Sequence, residues 1–190
     1  MAGELRRAFV AVVPPADVLD AIERVVAPVR PAAPPRLTWT HAGQWHLTLQ
    51  VLGRVDDTDE LVDALRWGLH GARPCTLALG GAGAFPSVGR ASVVWIGLDE
   101  GEPELARLAD AVTRATEPLG YRPDRDEFAA HLTIARSHRA RPLASLVDAL
   151  GDGPVGPLWH VHDVALMESD TRWDGAVYRD VARFPLGSPG

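Results

Sequence analysis

The feature that most constrains this chain is a four-residue pattern that occurs twice, His46-Leu47-Thr48-Leu49 and His131-Leu132-Thr133-Ile134. Each copy alternates a polar residue with a branched apolar one, the period of a half-buried strand. Residues i and i+2 of a strand point to the same face. His46 and Thr48 therefore share a face while Leu47 and Leu49 enter the core behind it, and His131 and Thr133 stand likewise in front of Leu132 and Ile134. Any fold that buries the aliphatic residues must display an imidazole beside a hydroxyl on a rigid element, and must do so twice.

The surroundings of the motif repeat as well. The two histidines are 85 residues apart, and that offset lays a strand at Phe9–Val12 on Val94–Gly97, a helix over 16–29 on 101–114, and a helix over 58–70 on 143–155. Strand, helix, HLT strand and helix thus follow one another two times. If the two units pack about a pseudo-twofold axis, their HLT strands face each other across one groove.

In chain order, Leu5–Val13 reads as a buried strand and Arg36–Thr40 as a short one. The His46 strand runs to about Leu52, with Gly53 turning the chain. Asp57 and Glu60 form a capping box for the next helix. Thr76–Leu79 is strand-like, with Gly80-Gly81-Ala82-Gly83 as a flexible connection, and Ser92–Leu98 is a strong strand. A helix over 102–119 stops at Gly120, a polar loop spans 122–127, and the His131 strand ends near Arg136. Pro142–Leu150 is a short helix. Strands over Trp159–Glu168 and Ala176–Phe184 close the chain as a hairpin around Asp174-Gly175.

Composition removes several kinds of chemistry. All nineteen basic residues are arginine, so a lysine nucleophile, a Schiff base and a Walker A lysine are excluded. With Cys75 the only cysteine, neither an intramolecular disulfide nor a Cys-rich zinc site is available. A net charge of −6 argues against broad non-specific binding to nucleic acid, yet arginine forks suit a nucleotide end held in a local cleft. No apolar run approaches the ~20 residues of a membrane span. The N-terminal MAGELRRAFV lacks a signal-peptide core, which predicts a cytoplasmic protein.

Two facing imidazoles can divide acid and base work near neutral pH. One takes a proton from water and the other gives a proton to a leaving oxygen, while the threonine hydroxyls donate hydrogen bonds to phosphate oxygens. In-line displacement at phosphorus needs base and acid on opposite sides of the reacting atom, a geometry that a twofold-related pair supplies.

HLTL at 46–49 and HLTI at 131–134 resemble the paired His-x-Thr-x signature of the 2H phosphoesterase superfamily. RRAFVAV near the N-terminus, HLTLQVLG, AFP with VVWIGL, HLTIAR, and the terminal ALMES and YRDVARFPL narrow the likeness to the RNA 2′,3′-cyclic phosphodiesterases, historically called 2′-5′ RNA ligases. Nearly the whole chain is covered. The resemblance implies an α+β fold in a single bilobal domain over residues 1–190, with two pseudo-twofold-related lobes. Each lobe would be a mainly antiparallel sheet with helices on its outer face, around a groove carrying both motif strands. It implies metal-independent hydrolysis of a 2′,3′-cyclic phosphate RNA end to a 2′-phosphate, with no cofactor and no obligate protein partner. His46 would protonate the leaving 3′ oxygen, His131 would activate water, and Thr48, Thr133 and Arg136 would hold the phosphate. Ala130 stands where relatives often have proline, and Trp45 where they often have leucine.

Other functions compatible with the motifs are cleavage of another small cyclic phosphate or a 2′-5′-linked nucleotide, and a non-catalytic RNA-binding module. Arg139 and Arg141 are read as solvated charges, with extension of a positive rim as the alternative. His160 and His162 share a strand face as half of a metal site with no third ligand in sight, so they are assigned surface roles. Phe9 is assigned to the core, Trp39 is divided between core and base stacking, and Phe85 before Pro86 is a loop anchor.

Overall fold

The computed structural model describes residues 3–123, 128–172 and 175–187. Among them nine strands form one continuous sheet in the order β7-β4-β5-β6-β3-β1-β8-β9, with β2 paired to β6. The strands are β1 (Leu5–Val12), β2 (Leu37–Trp39), β3 (Leu47–Val55), β4 (Cys75–Phe85), β5 (Ala91–Glu100), β6 (Leu132–Arg141), β7 (Pro154–Val161), β8 (Asp163–Arg172) and β9 (Gly175–Pro185). Their helical partners are α1 (Ala16–Val26), α2 (Thr58–Gly68), α3 (Glu102–Thr116) and α4 (Ala144–Leu150). The observed pairings are all antiparallel. The wiring obeys the sequence repeat: β1-α1-β3-α2 matches β5-α3-β6-α4.

The two halves, β3-β1-β8-β9 and β6-β5-β4-β7, meet where β3 pairs β6 through a single register pair, Leu47 with Leu132. Both leucines are fully buried, so the seam is dry on its core side. Helix α1 leaves the first half and packs on β7 of the second, while α3 leaves the second and packs on β3 of the first. One hydrophobic cluster, from Val10 and Val12 through Ile22, Leu65, Ile96 and Leu105 to Ile134, therefore runs across both halves. Each fully buried aliphatic side chain in it contributes about 1.5–3 kcal/mol. A second, smaller cluster, Phe9, Ala11, Ala165 and Met167 with Tyr178, lies apart from the first.

Several boundaries differ from the sequence expectations. Gly53 does not turn the chain: it takes φ +73° inside β3, which continues to Val55. The glycine cluster 80–83 is strand, not connection, because its missing side chains make room for neighbours. A Cβ on Gly83 would come within 2.2 Å of the Trp95 indole, and one on Gly80 within 2.3 Å of the Asp99 carboxylate. β6 passes Arg136 to reach Arg141. The segment read as one strand from Trp159 is split between β7 and β8 at His162. The β8–β9 hairpin forms as expected, though Asp174 lies outside the described residues, as do 124–127 of the expected loop. At Asp57 the side chain accepts from the Glu60 amide, one half of the expected capping box.

Candidate active site

The five residues singled out by the motifs, His46, Thr48, His131, Thr133 and Arg136, line one groove of about 590 Å³. The register at the seam explains the convergence. With Leu47 opposite Leu132 in an antiparallel pair, His46 falls opposite Thr133 and Thr48 opposite His131. The pseudo-twofold axis runs through the leucine pair, and the four polar side chains surround it.

Arg136 reaches the groove for a reason that strict alternation hides. Thr133 and Arg136 are three residues apart and belong on opposite faces of a regular strand. In the β5–β6 ladder, however, Val94 pairs Ala135 and Trp95 pairs Thr133, so Ile134 is an extra residue, a β-bulge that re-aims the side chains beyond it. The β1–β3 ladder carries the same bulge at the equivalent place. Val10 pairs Gln50, Ala11 pairs Thr48, and Leu49 is the extra residue. Gln50 and Ala135 are thereby buried, while Val51 and Arg136 join the threonines on the groove wall.

Each imidazole is held in the same way. Nδ1 of His46 lies 2.7 Å from the Gln44 carbonyl, and Nδ1 of His131 lies 2.7 Å from the Ala129 carbonyl. A carbonyl only accepts, so Nδ1 carries the hydrogen in both rings, and in the neutral ring Nε2 is the nitrogen that carries the lone pair. His46 is flanked by Phe9 at 4.7 Å and by the edge of Tyr178 at 5.1 Å. The Phe85 ring meets His131 edge-on at 4.9 Å. Burial lowers the His46 pKa to about 4, against the Gln44 carbonyl, which favours the charged ring; the charges of Arg136 and His131 add to the lowering. Burial raises the Tyr178 pKa, opposed by Arg136.

A strap from the first half ties the two motifs together. β2 pairs β6 beyond the seam, and the Thr40 hydroxyl donates to the Thr133 carbonyl at 2.9 Å. That same hydroxyl accepts the Trp45 indole N–H at 2.9 Å. Trp45 is 1% exposed and directly precedes His46, so its indole needs this partner. Trp45 and Thr40 thus form a hydrogen-bonded link between the residue before one histidine and the strand of the other.

Sequence reading missed three groove features. Phe9 is buried as expected, but in the second cluster, against His46. Phe85 is no loop anchor but the end of β4, packed on His131. Tyr178 sits on β9, about 130 residues after His46, with no local signal to connect the two. Trp39 is half-buried on β2 with Arg30 over its ring at 5.9 Å. The His160 and His162 rings lie 5.9 Å apart away from the groove. Among the described residues no three His, Cys, Asp or Glu side chains are grouped to hold a metal ion.

Known proteins resemble this chain in sequence and in fold. A family model described as the 2′-5′ RNA ligase superfamily matches residues 14–173. The chain is 34% identical over 181 residues to an RNA 2′,3′-cyclic phosphodiesterase of Archaeoglobus fulgidus, covering 94% of this chain and 99% of that protein. It is 33% identical over 149 residues to one of Aeropyrum pernix, covering 77% and 84%. The crystal structure of TT0787 of Thermus thermophilus superposes with a TM-score of 0.79 at 27% identity, covering 97% of this chain and all of that one.

Proposed function

The chain belongs to the 2′-5′ RNA ligase superfamily, and on that footing we propose that it hydrolyses RNA 2′,3′-cyclic phosphate ends to 2′-phosphates, with its two histidines as acid and base and without a metal. The relatives named for this activity match over most of their length. The observation that carries the mechanism is the pair of imidazoles on one groove, each with Nδ1 bonded to the carbonyl two residues upstream, which assigns the proton transfers to Nε2.

In this reaction a water oxygen bonds to phosphorus as the P–O3′ bond breaks. His131 takes the water proton and His46 delivers one to O3′. Thr48, Thr133 and Arg136 bond the non-bridging oxygens, whose negative charge grows in the transition state. Two proton-transfer groups of this kind are each worth about 10²–10⁴-fold.

The acid role of His46 sets a condition. With its pKa at about 4 in the ligand-free chain, His46 is neutral at pH 7 and must gain a proton when substrate binds. An anionic phosphate placed against the ring favours the charged form. Binding of a dinucleoside monophosphate, whose diester anion does not itself titrate at pH 6–7, is therefore expected to take up a proton, read by calorimetry in buffers of different ionisation enthalpy. Binding with no uptake would reverse the roles and make His46 the base.

The activity test is incubation of a cyclic-phosphate-ended RNA with excess EDTA. Turnover to a 2′-phosphate is expected. Loss of turnover on chelation would remove metal independence, and a 3′-phosphate product would mean that the other ester bond breaks. Binding without any product would leave an RNA-binding module.

A further inference from the structure

The acidic residues of this chain are unevenly distributed. Of its 25 aspartates and glutamates, none lies between Glu23 and Asp56, between Asp63 and Asp99, or between Glu127 and Asp148. The fold brings these three acid-free stretches together. The first supplies β2, the second supplies the turn Val88–Arg90 and β5, and the third supplies β6.

At the end of β6 the convergence is dense. Arg136 pairs with Thr38 of β2 and Val93 of β5, and Arg141 pairs with Ala91, next to Arg90. Five residues of β6 thus span two of β5, so 137–140 bow out of that ladder and carry His138 and Arg139 into solvent. The Arg141 guanidinium donates to the Pro35 carbonyl at 2.7 Å, which draws in the neighbouring Arg36. Among the described residues, none of Arg36, Arg90, Arg136, Arg139 and Arg141 forms an ion pair. Several arginines elsewhere, Arg30, Arg54, Arg66, Arg107, Arg179 and Arg183 among them, are matched to carboxylates.

We propose that this arginine face is the docking track for the strand upstream of the cyclic end, making the substrate a single-stranded RNA rather than a free cyclic mononucleotide. The inference rests on the phosphodiesterase reading and adds a second surface to it. Arg136 stands in the groove at one end of the face, and the stretches that carry Arg139, Arg36 and Arg90 contain no acidic residue, so backbone phosphates that leave the groove on this side pass onto these arginines. A chain with net charge −6 repels nucleic acid elsewhere, so the concentrated face also sets the polarity with which a strand approaches. Guanidinium forks match phosphate oxygens.

The test compares a 2′,3′-cyclic mononucleotide with a cyclic-phosphate-ended octanucleotide, using the intact chain and the triple variant Arg36→Glu, Arg90→Glu, Arg139→Glu. These three side chains are exposed and lie outside the groove lining. For the intact chain, the octanucleotide is expected to show the lower KM and a steeper salt dependence. For the variant, KM on the octanucleotide rises about tenfold or more and the slope of log K against log salt flattens by about 2, at roughly 0.7 per single-strand phosphate contact. Turnover of the mononucleotide stays unchanged. Equal KM and equal salt slope for the two substrates, or an unaltered octanucleotide KM in the variant, overturns the track. Should neither substrate turn over, the phosphodiesterase reading fails on its own. Anisotropy of a labelled 3′-phosphorylated octanucleotide then decides the track by whether the variant loses binding.

Discussion

Val51 and Arg136 occupy the same station in the two halves of this molecule, three residues beyond a threonine and just past a bulge, and their side chains could hardly differ more. One half lines the groove with Val51 and with Tyr178 beside His46, whose ring also packs on the buried Phe9. The other offers a guanidinium beside Thr133, with the large indole of Trp95 lying over Gly83 where the first half has Ala11 and Ala165. The backbone repeat, down to the bulge and the Nδ1 hydrogen bonds, is kept. What differs is the chemistry displayed on it. A symmetric scaffold delivers two imidazoles to one groove, and the lining differs at equivalent stations, a guanidinium on one side and a valine on the other.

The comparison can be broken most severely at the histidines. His46→Ala and His131→Ala are each expected to lower kcat about 10²–10⁴-fold, with the fold intact by circular dichroism. A variant with near-normal turnover would show that the two halves do not share the chemistry. Next, Arg136→Val makes the two walls alike. Losing charge-assisted hydrogen bonds of about 1.5–3 kcal/mol should lower kcat/KM about 10- to 100-fold, measured by steady-state kinetics. An unchanged value would mean that the asymmetry at this station does not hold the phosphate.

The smallest expected effect concerns the link between the halves. Thr40→Val keeps the shape of the side chain and removes the hydroxyl between Trp45 and Thr133. The buried indole N–H then lacks a partner at a cost of about 1–3 kcal/mol, read as a lower unfolding midpoint. The freed His46 segment should lower kcat several-fold with KM unchanged, and Thr40→Ser should restore both. A fall in stability with constant kcat would show that the strap is structural only.

Much of the site was legible because its signals are local. An HLT stretch is a strand pattern and an imidazole–hydroxyl pair at once, and its recurrence at a fixed offset announced the second half. Arg136 was named from the resemblance, and its place on the groove wall could not be read from alternation, since Ile134 looks like any alternating strand residue until its bulge is seen. Glycines 80–83 misled for a related reason. Glycine is read as a chain breaker, yet Gly80 and Gly83 are small because Asp99 and Trp95 need their space. Phe9, Phe85 and Tyr178 carry no pattern that separates a core aromatic from one leaning on an imidazole of the groove.

By itself the sequence determined the repeat, the two imidazole–hydroxyl strands, the α+β composition of the halves and the absence of lysine chemistry. All of these follow from short-range periodicity and residue identity. The tertiary structure alone decided that both halves share one sheet joined at Leu47 and Leu132, that paired bulges turn Val51 and Arg136 into the groove, and that burial drives the His46 pKa down. Those outcomes depend on register and on which side chains exclude water, and both are set by partners far away along the chain.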